Sequence, residues 1–358
     1  MDIPIRRIEV RPADLRRLEA HADQVVFVDG VLHRNGRAEP VRFGYRGNRT
    51  RQAPKKSFEI RRRGGTLHLN AEYDDPTMLR NALSFWFFRQ IGVPSPWTQH
   101  CRLIMNEQDL GVYLEIEGVD ATFFRRRRLG CRSLFYAVNH DADFSLVTGA
   151  RAILKASLFD GYERVIGSRE DQKRFERFIF DLNTLRDEGL RRHVAERIDT
   201  PLYLRWLAGA VCTGNADGLT QNYAVYESTH DGRYRFVPWD YEGTWGRNCF
   251  GQLCPMDTVG AFGENVLTTK VLGLPDARRA YRQLIRHLAS TVFTEEYLVS
   301  VVRDWMRRIG PAVLADDTRR HAADGWAREF TVIYEYIRER RQFLLKAMDE
   351  DEGRSGMG

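Results

Sequence analysis

The chain has 358 residues, 43% of them hydrophobic and 29% charged, which is enough for two domains or one two-lobed domain with a sizeable core. It contains no run of about twenty apolar residues, and the start Met1-Asp2-Ile3-Pro4-Ile5-Arg6 lacks the basic-then-apolar pattern of a secretion signal, so no membrane partner and a cytoplasmic location are expected. The net charge of +6 is carried almost wholly by arginine. No zinc-finger, helix-turn-helix or RNA-recognition pattern accompanies it, so a nucleic-acid partner is not expected either.

Pro12 to Ala22 reads as a short amphipathic helix with proline in its first turn. Strands follow at Gln24–Val31 and Pro40–Arg46, joined through an Asn35-Gly36 turn. Pro54 to Ile60 is a further strand, on which Lys56 shares the face of Phe58 and Ile60 while Lys55 does not. Thr66–Leu69 makes one more short strand. A helix is expected from Thr77 to Ile91, ended by Gly92, and two strands at Cys101–Met105 and Gly111–Ile116. The connection Glu117-Gly118-Val119-Asp120 closes this β-rich part.

Helices dominate the expectation from Ala121 onward: Asp171–Arg186, Leu190–Ile198, Pro201–Cys212, Asn265–Leu272, Asp276–Leu288, Thr294–Arg308 and Gly325–Met348. A polar, frayed tail is expected over Asp349–Gly358. Five cysteines, odd in number and scattered, argue against a disulfide framework. Cys249 and Cys254 alone are weak evidence for zinc. No metalloprotease, nucleophile-elbow or Walker-type motif is present.

The chemistry centres on Asn215-Ala216-Asp217-Gly218-Leu219-Thr220-Gln221-Asn222. A helix precedes this loop, and a hairpin (Tyr223–Tyr226 and Tyr234–Val237) follows it, ending at Pro238-Trp239-Asp240-Tyr241-Glu242-Gly243. Protein kinases use the same order: a loop Asp that takes the substrate hydroxyl proton, an Asn five residues later on a metal, and an Asp beyond the next hairpin on the metal that bridges the nucleotide phosphates. The Asp217-to-Asn222 pair alone also describes a capped surface turn. Asp240 beside Pro238 and Trp239 favours the chemical reading, because a carboxylate held at such a strand end is poorly placed for simple solvation.

The chain resembles the CotH family of bacterial spore-coat kinases. The matching pieces, in the family's order, are Arg46-Gly47-Asn48-x-Thr50-Arg51 with Pro54-Lys55-Lys56-Ser57-Phe58; Leu79-Arg80-Asn81; Gly111-Val112-Tyr113 with Glu117 and Asp120; Asn215-x-Asp217 with Gln221-Asn222-Tyr223; and Pro238-Trp239-Asp240. The resemblance implies an α+β, bilobed protein-kinase-like fold, with a β-rich N-lobe containing one long helix (residues 1–117), a mainly helical C-lobe (118–348) and a tail (349–358). It implies ATP with Mg²⁺ or Mn²⁺, transfer to Ser or Thr of a protein partner, and a spore-coat setting. The competing functions are a kinase with a small-molecule acceptor, nucleotidyl transfer, and a non-catalytic assembly scaffold.

Roles are then expected as follows. Asp217 is the base; Asp240 and Asn222 hold metal, with Glu242 able to hold a second ion where relatives often carry Asp. Lys56, then Lys55, is the candidate phosphate lysine, the alternative being a solvated pair that protects a sheet edge. Asn48 and Arg51 are candidate phosphate or structural contacts. The stretch Arg46–Arg51 stands in for an absent glycine-rich loop, bringing side chains to phosphate. Glu117 either orients the connection to the second lobe or pairs with Arg80, and backbone groups around Val119 face adenine. The helix Thr77–Ile91 contains no Glu, so Asp74 or Asp75 is the candidate partner of the lysine. The basic run Arg125–Arg128 is a solvated face or a docking site.

Overall fold

The structure, a computed structural model, describes residues 3–47, 49–149, 153–320 and 323–355. Seven strands of the first third, β1 (Ile5–Glu9), β2 (Val28–Arg34), β3 (Arg37–Tyr45), β4 (Phe58–Arg62), β5 (Gly65–Asn70), β6 (Thr98–Met105) and β7 (Gln108–Glu117), close into a barrel in the order β1-β2-β3-β4-β5-β7-β6. Neighbours are antiparallel except at the closure, where β1 lies parallel to β6 with Arg6 opposite Leu103. The β2–β3 hairpin turns on Asn35 and Gly36, both with positive φ (51° and 72°), as a two-residue turn between right-twisted strands requires.

Ile8, Leu32, Phe43, Ile60, Leu69 and Leu103 fill the barrel. Among them lies a buried charge cluster: Arg6 donates to Glu115 at 2.6 Å, and Arg34 reaches the other carboxylate oxygen at 2.6 Å. A buried Arg survives there because its partner is buried with it. The helix α1 (Pro12–Ala20) packs Leu18 against this core.

The helix α2 (Arg80–Gln90) is buried nearly all round, its polar residues Arg80, Asn81 and Ser84 included. It begins three residues later than the hydrophobic spacing suggests. Asp75 takes the amides of Thr77 and Arg80, both at 2.9 Å, and so holds the preceding residues in a turn.

The remaining chain adds α3 (Ala121–Arg127), β8 (Ser133–Ala137), the short pair β9 (Val147–Thr148) and β10 (Ile153–Leu154), β11 (Tyr162–Ile166), α4 (Arg169–Thr184), α5 (Asp187–Arg197), α6 (Thr200–Thr213), β12 (Tyr223–Glu227), β13 (Tyr234–Pro238), α7 (Val266–Leu272), α8 (Pro275–Ser290), α9 (Glu295–Leu314) and α10 (Ala323–Ser355). The fold is therefore α+β. A four-stranded sheet runs in the order β11-β8-β12-β13, with α6 at the centre of the largest core, where Trp206, Leu207 and Val211 are fully buried.

Two expectations need correcting. The hairpin expected within the mainly helical second part is the edge pair of a larger sheet, since β8 and β11, which were not expected, extend it to four strands. The frayed tail is helical as far as Ser355, and Asp351 within it is buried and ion-paired to Arg278 and Arg282. The same helix carries the fully buried Arg340, which donates to the Val211 carbonyl at 2.7 Å and to the Val259 carbonyl at 2.7 Å. It thereby ties α10 to the end of α6 and to the irregular segment after β13. No helix among the described residues is long and apolar enough to cross a membrane.

Candidate active site

The site starts where α6 stops. Gly214 caps that helix at φ 73°, and a Cβ there would meet the Tyr336 hydroxyl at 2.2 Å, so a larger residue fails on both counts. The next residue, Asn215, is buried. Its Oδ1 accepts the Gly218 amide at 3.0 Å, which shapes the single turn Asp217–Leu219, and its Nδ2 donates to the Asp240 carbonyl at 3.4 Å.

The hairpin does the rest. Tyr223 pairs with Pro238, so the residues just outside the pair meet: the Asn222 carbonyl accepts the Trp239 amide at 3.2 Å, and the Asn222 amide donates to Ala137 at 3.0 Å. Asn222 and Asp240 both have left-handed backbones, φ 58° and 57°, a conformation that Asn and Asp tolerate better than other side chains.

These loops line a cavity of about 240 Å³ that contains Asp217, Asn222, Asp240 and Glu242, with Arg46 and Asn70 from the barrel side. A larger cavity of about 710 Å³ shares Arg46, Gly47 and Val138 with it and is walled by His68, Val119, Tyr136 and Trp239. Arg46 sits at the junction. Its Nη1 donates to Asn70 Oδ1 at 2.7 Å, and its guanidinium lies 5.3 Å from the Trp239 ring.

Behind Asn70 lies Glu72, which is buried and accepts from Asn81 Nδ2 at 3.1 Å. Burial, then the charge of Asp75, pushes its carboxyl up to about 8, with Asp240 adding to the rise. Asn81 in turn accepts the Tyr241 amide at 3.1 Å. A polar chain thus runs from Glu72 through Asn81 to the residue after Asp240.

The structure brings together Asp217, Asn222, Asp240 and Glu242 at the smaller cavity, and Arg51 and Val119 at the larger one. It does not bring the two lysines to either. The buried Lys55 donates to the Val112 carbonyl and to Asp316, both at 2.8 Å, beside the Tyr113 ring. Lys56 donates to the Arg51 carbonyl at 2.6 Å and so braces the turn Arg49–Gln52. Glu117 takes Arg127 at 2.6 Å and Arg126 at 3.3 Å. Arg80 pairs instead with Asp75 at 2.6 Å and Glu329 at 2.8 Å, which leaves neither Glu117 nor Asp75 in the ion pair expected of it. Asp74 pairs with Arg320. Asn48 lies outside the described residues.

Arg46, and neither lysine, lines both cavities. Its sequence signal is the stretch Arg46–Arg51, of which Arg51 and Asn48, and not Arg46, are the candidate phosphate contacts. Asn70, His68 and Tyr136 were missed because each is a polar or aromatic residue on a strand, with no spacing to mark it.

The donor set suits a hard divalent cation. Asp240, Glu242 and Asn222 offer only oxygens, as Mg²⁺ and Mn²⁺ prefer, and two carboxylates with an amide leave positions for water and phosphate. Among the described residues, no group of three or more His, Cys, Asp and Glu converges as a closed metal cage would require.

Comparison with known proteins places this geometry in context. A family model described as CotH kinase protein matches residues 43–344. Inner spore coat protein H of Bacillus subtilis (strain 168) is 37% identical over 350 residues, covering 96% of this chain and 97% of that protein. The inner spore coat protein H-like protein of the same organism is 28% identical over 299 residues, 82% of this chain and 85% of its own. Among solved structures, the Shewanella oneidensis MR-1 HipA–HipB–operator DNA complex aligns with 91% of this chain and 66% of that one at TM-score 0.40 and 13% identity. The Helicobacter pylori proinflammatory kinase CtkA aligns with 83% and 95% at TM-score 0.34 and 9% identity.

Proposed function

The chain belongs to the CotH kinase protein family, and from that premise we propose that it is an ATP-dependent phosphotransferase that phosphorylates Ser or Thr of a protein acceptor. Its relatives' names make spore-coat proteins the first acceptors to try. The observation that carries this reading is the convergence of Asp217, Asn222, Asp240 and Glu242 with one oriented arginine, Arg46, around a single cavity.

Each residue then has a task. The triphosphate lies in the smaller cavity, with Arg46 against its oxygens; the base and ribose lie in the larger cavity beside Val119 and Arg51. Asp240, Asn222 and Glu242 hold Mg²⁺ or Mn²⁺. A metal bound there supplies neutralisation of phosphate charge, which with positioning accounts for most of the acceleration in this reaction class. Asp217 orients the acceptor hydroxyl and receives its proton. Residues 1–117 are the small lobe and 118–348 the large one in this reading, and the setting is the cytoplasm or the coat assembling there.

The test is incubation of the protein with labelled ATP, Mn²⁺ and an array of Ser- and Thr-containing peptides. Label on peptides is the expected result. Transfer only to a small metabolite, or release of pyrophosphate with the nucleotide joined to the acceptor, overturns the protein-kinase reading.

A further inference from the structure

The outer face of β3 and β4 carries a further concavity, of about 400 Å³, away from the two cavities of the site. Four arginines line it, Arg42, Arg61, Arg62 and Arg63, against one carboxylate, Asp29. Of these, Arg61 also lines the larger cavity, so the concavity opens beside the cleft.

The four charges are answered unequally. Arg61 donates to Glu59 at 2.7 Å, and Arg62, only 9% exposed, donates to Glu39 at 3.1 Å. Asp29 stands 3.8 Å from Arg42, too far for a hydrogen bond. Arg63, in the turn that joins β4 to β5, has no carboxylate partner among the described residues. Arg42 lies directly opposite Arg61 across the β3–β4 ladder, with 60% and 53% of their side chains exposed. Like charges so opposed are destabilising. One ring serves both: the Arg61 guanidinium lies 3.8 Å from the Phe27 ring and that of Arg42 6.0 Å from it. From α3, Arg126 donates to the Gly64 carbonyl at 3.2 Å, which brings the basic run Arg125–Arg128 against the same turn.

We propose that this groove docks a phosphorylated side chain of the protein acceptor, so that a segment already modified is held while a further Ser or Thr enters the cleft. The inference rests on the phosphotransfer reading above and adds a site outside the nucleotide cavities. A phosphoserine carries about −1.5 to −2 charges at pH 7 and three acceptor oxygens. That matches the two guanidiniums without a close carboxylate, Arg42 and Arg63, whose planar forks suit phosphate oxygens. A carboxylate brings a single charge. A nucleic acid gains its affinity by neutralising many phosphates along a track, whereas this groove offers one turn and one ring.

The test is titration calorimetry of the full chain with a glycine-flanked peptide carrying one phosphoserine, beside its serine and aspartate twins, inorganic phosphate and oligothymidylate. The phosphoserine peptide is expected to bind about ten- to a hundredfold tighter than either twin, the worth of a charge-assisted hydrogen bond. Arg42→Ala with Arg63→Ala, both at the surface and outside the catalytic groups, is expected to erase that preference while Tm and the kcat on an unphosphorylated acceptor stay at wild type. Equal binding of the three peptides, or a preference that survives the double variant, overturns the inference and spares the phosphotransfer reading. So does inorganic phosphate or oligothymidylate bound as tightly as the phosphopeptide, which would make the groove a free-anion or nucleic-acid site. A protein that binds the phosphopeptide through these arginines but transfers phosphate to no peptide loses the phosphotransfer reading and keeps the phosphoserine site. Should the double variant not fold, Arg63→Ala alone, in the exposed turn, takes its place.

Discussion

Asn215 fastens the loop of Asp217 to the loop of Asp240. One amide side chain accepts from Gly218 at 3.0 Å and donates to the Asp240 carbonyl at 3.4 Å. The spacing of the proposed base and the proposed metal ligand therefore depends on one buried side chain bonded to both loops and not on two independent loops. Substituting either loop's key residue should leave the other in place, which makes the two roles separable by experiment.

Asp240→Ala is expected to abolish metal-dependent ATP binding and, with it, turnover. Titration calorimetry with ATP in the presence and absence of Mg²⁺ checks this. Wild-type affinity in the variant would remove Asp240 from the metal site.

Asp217→Ala should behave differently. Nucleotide and metal binding stay near wild type while turnover falls by about 10²–10⁴-fold, the usual worth of general base catalysis. Loss of binding as complete as loss of turnover would make Asp217 a metal ligand or a structural residue.

A third pair of variants separates the cations. Arg46→Ala removes the guanidinium that lines both cavities and should raise the KM for ATP and lower kcat. Lys56→Ala removes only the brace on the Arg51 carbonyl and should do much less. Kinetics of the two side by side check the order; a larger defect from Lys56 would return the phosphate contact to the lysine.

Much of this was legible beforehand. The order of helix, loop and hairpin places Asp217, Asn222 and Asp240 by local rules alone, because a hairpin must bring its two ends together. The barrel closure was not legible. β1 reads Ile5-Arg6-Arg7-Ile8-Glu9, and one of its inward positions is filled by Arg6, whose partner Glu115 lies 109 residues away. The alternation that marks a strand was hidden by a buried charge. Lys55 misled for a related reason: a lysine in a site motif suggests phosphate, yet its partner Asp316 lies far along the chain. Long-range ion pairs leave no local trace.

That buried pair predicts a stability effect. Asp316→Ala strands the Lys55 ammonium, which is already destabilised by burial, and should cost about 3–5 kcal/mol. The double variant Lys55→Met with Asp316→Ala should recover much of the loss. Urea unfolding of the three proteins checks this; a single variant as stable as wild type would show the pair to be dispensable.

Glu72 predicts a pH dependence. Its carboxyl is held near 8 in the fold against about 4.5 otherwise, so the folded chain keeps a proton that the unfolded chain releases. Stability from this group is full below about 4.5 and is lost as pH rises through about 8. Melting temperature should fall between those limits, and Glu72→Gln should flatten the fall. Parallel pH profiles of the two Tm values would assign the dependence to another group.

The parallel closure of β1 on β6 has a mechanical and colloidal consequence. A sheet with two free margins can bend and can recruit strands from other molecules; a closed one does neither easily. Here five residues, Ile5–Glu9, cover the margins of both β2 and β6. Clipping that segment by proteolysis would uncover both margins at once and empty the Arg6 position inside the wall. The nicked protein would then be the self-associating form.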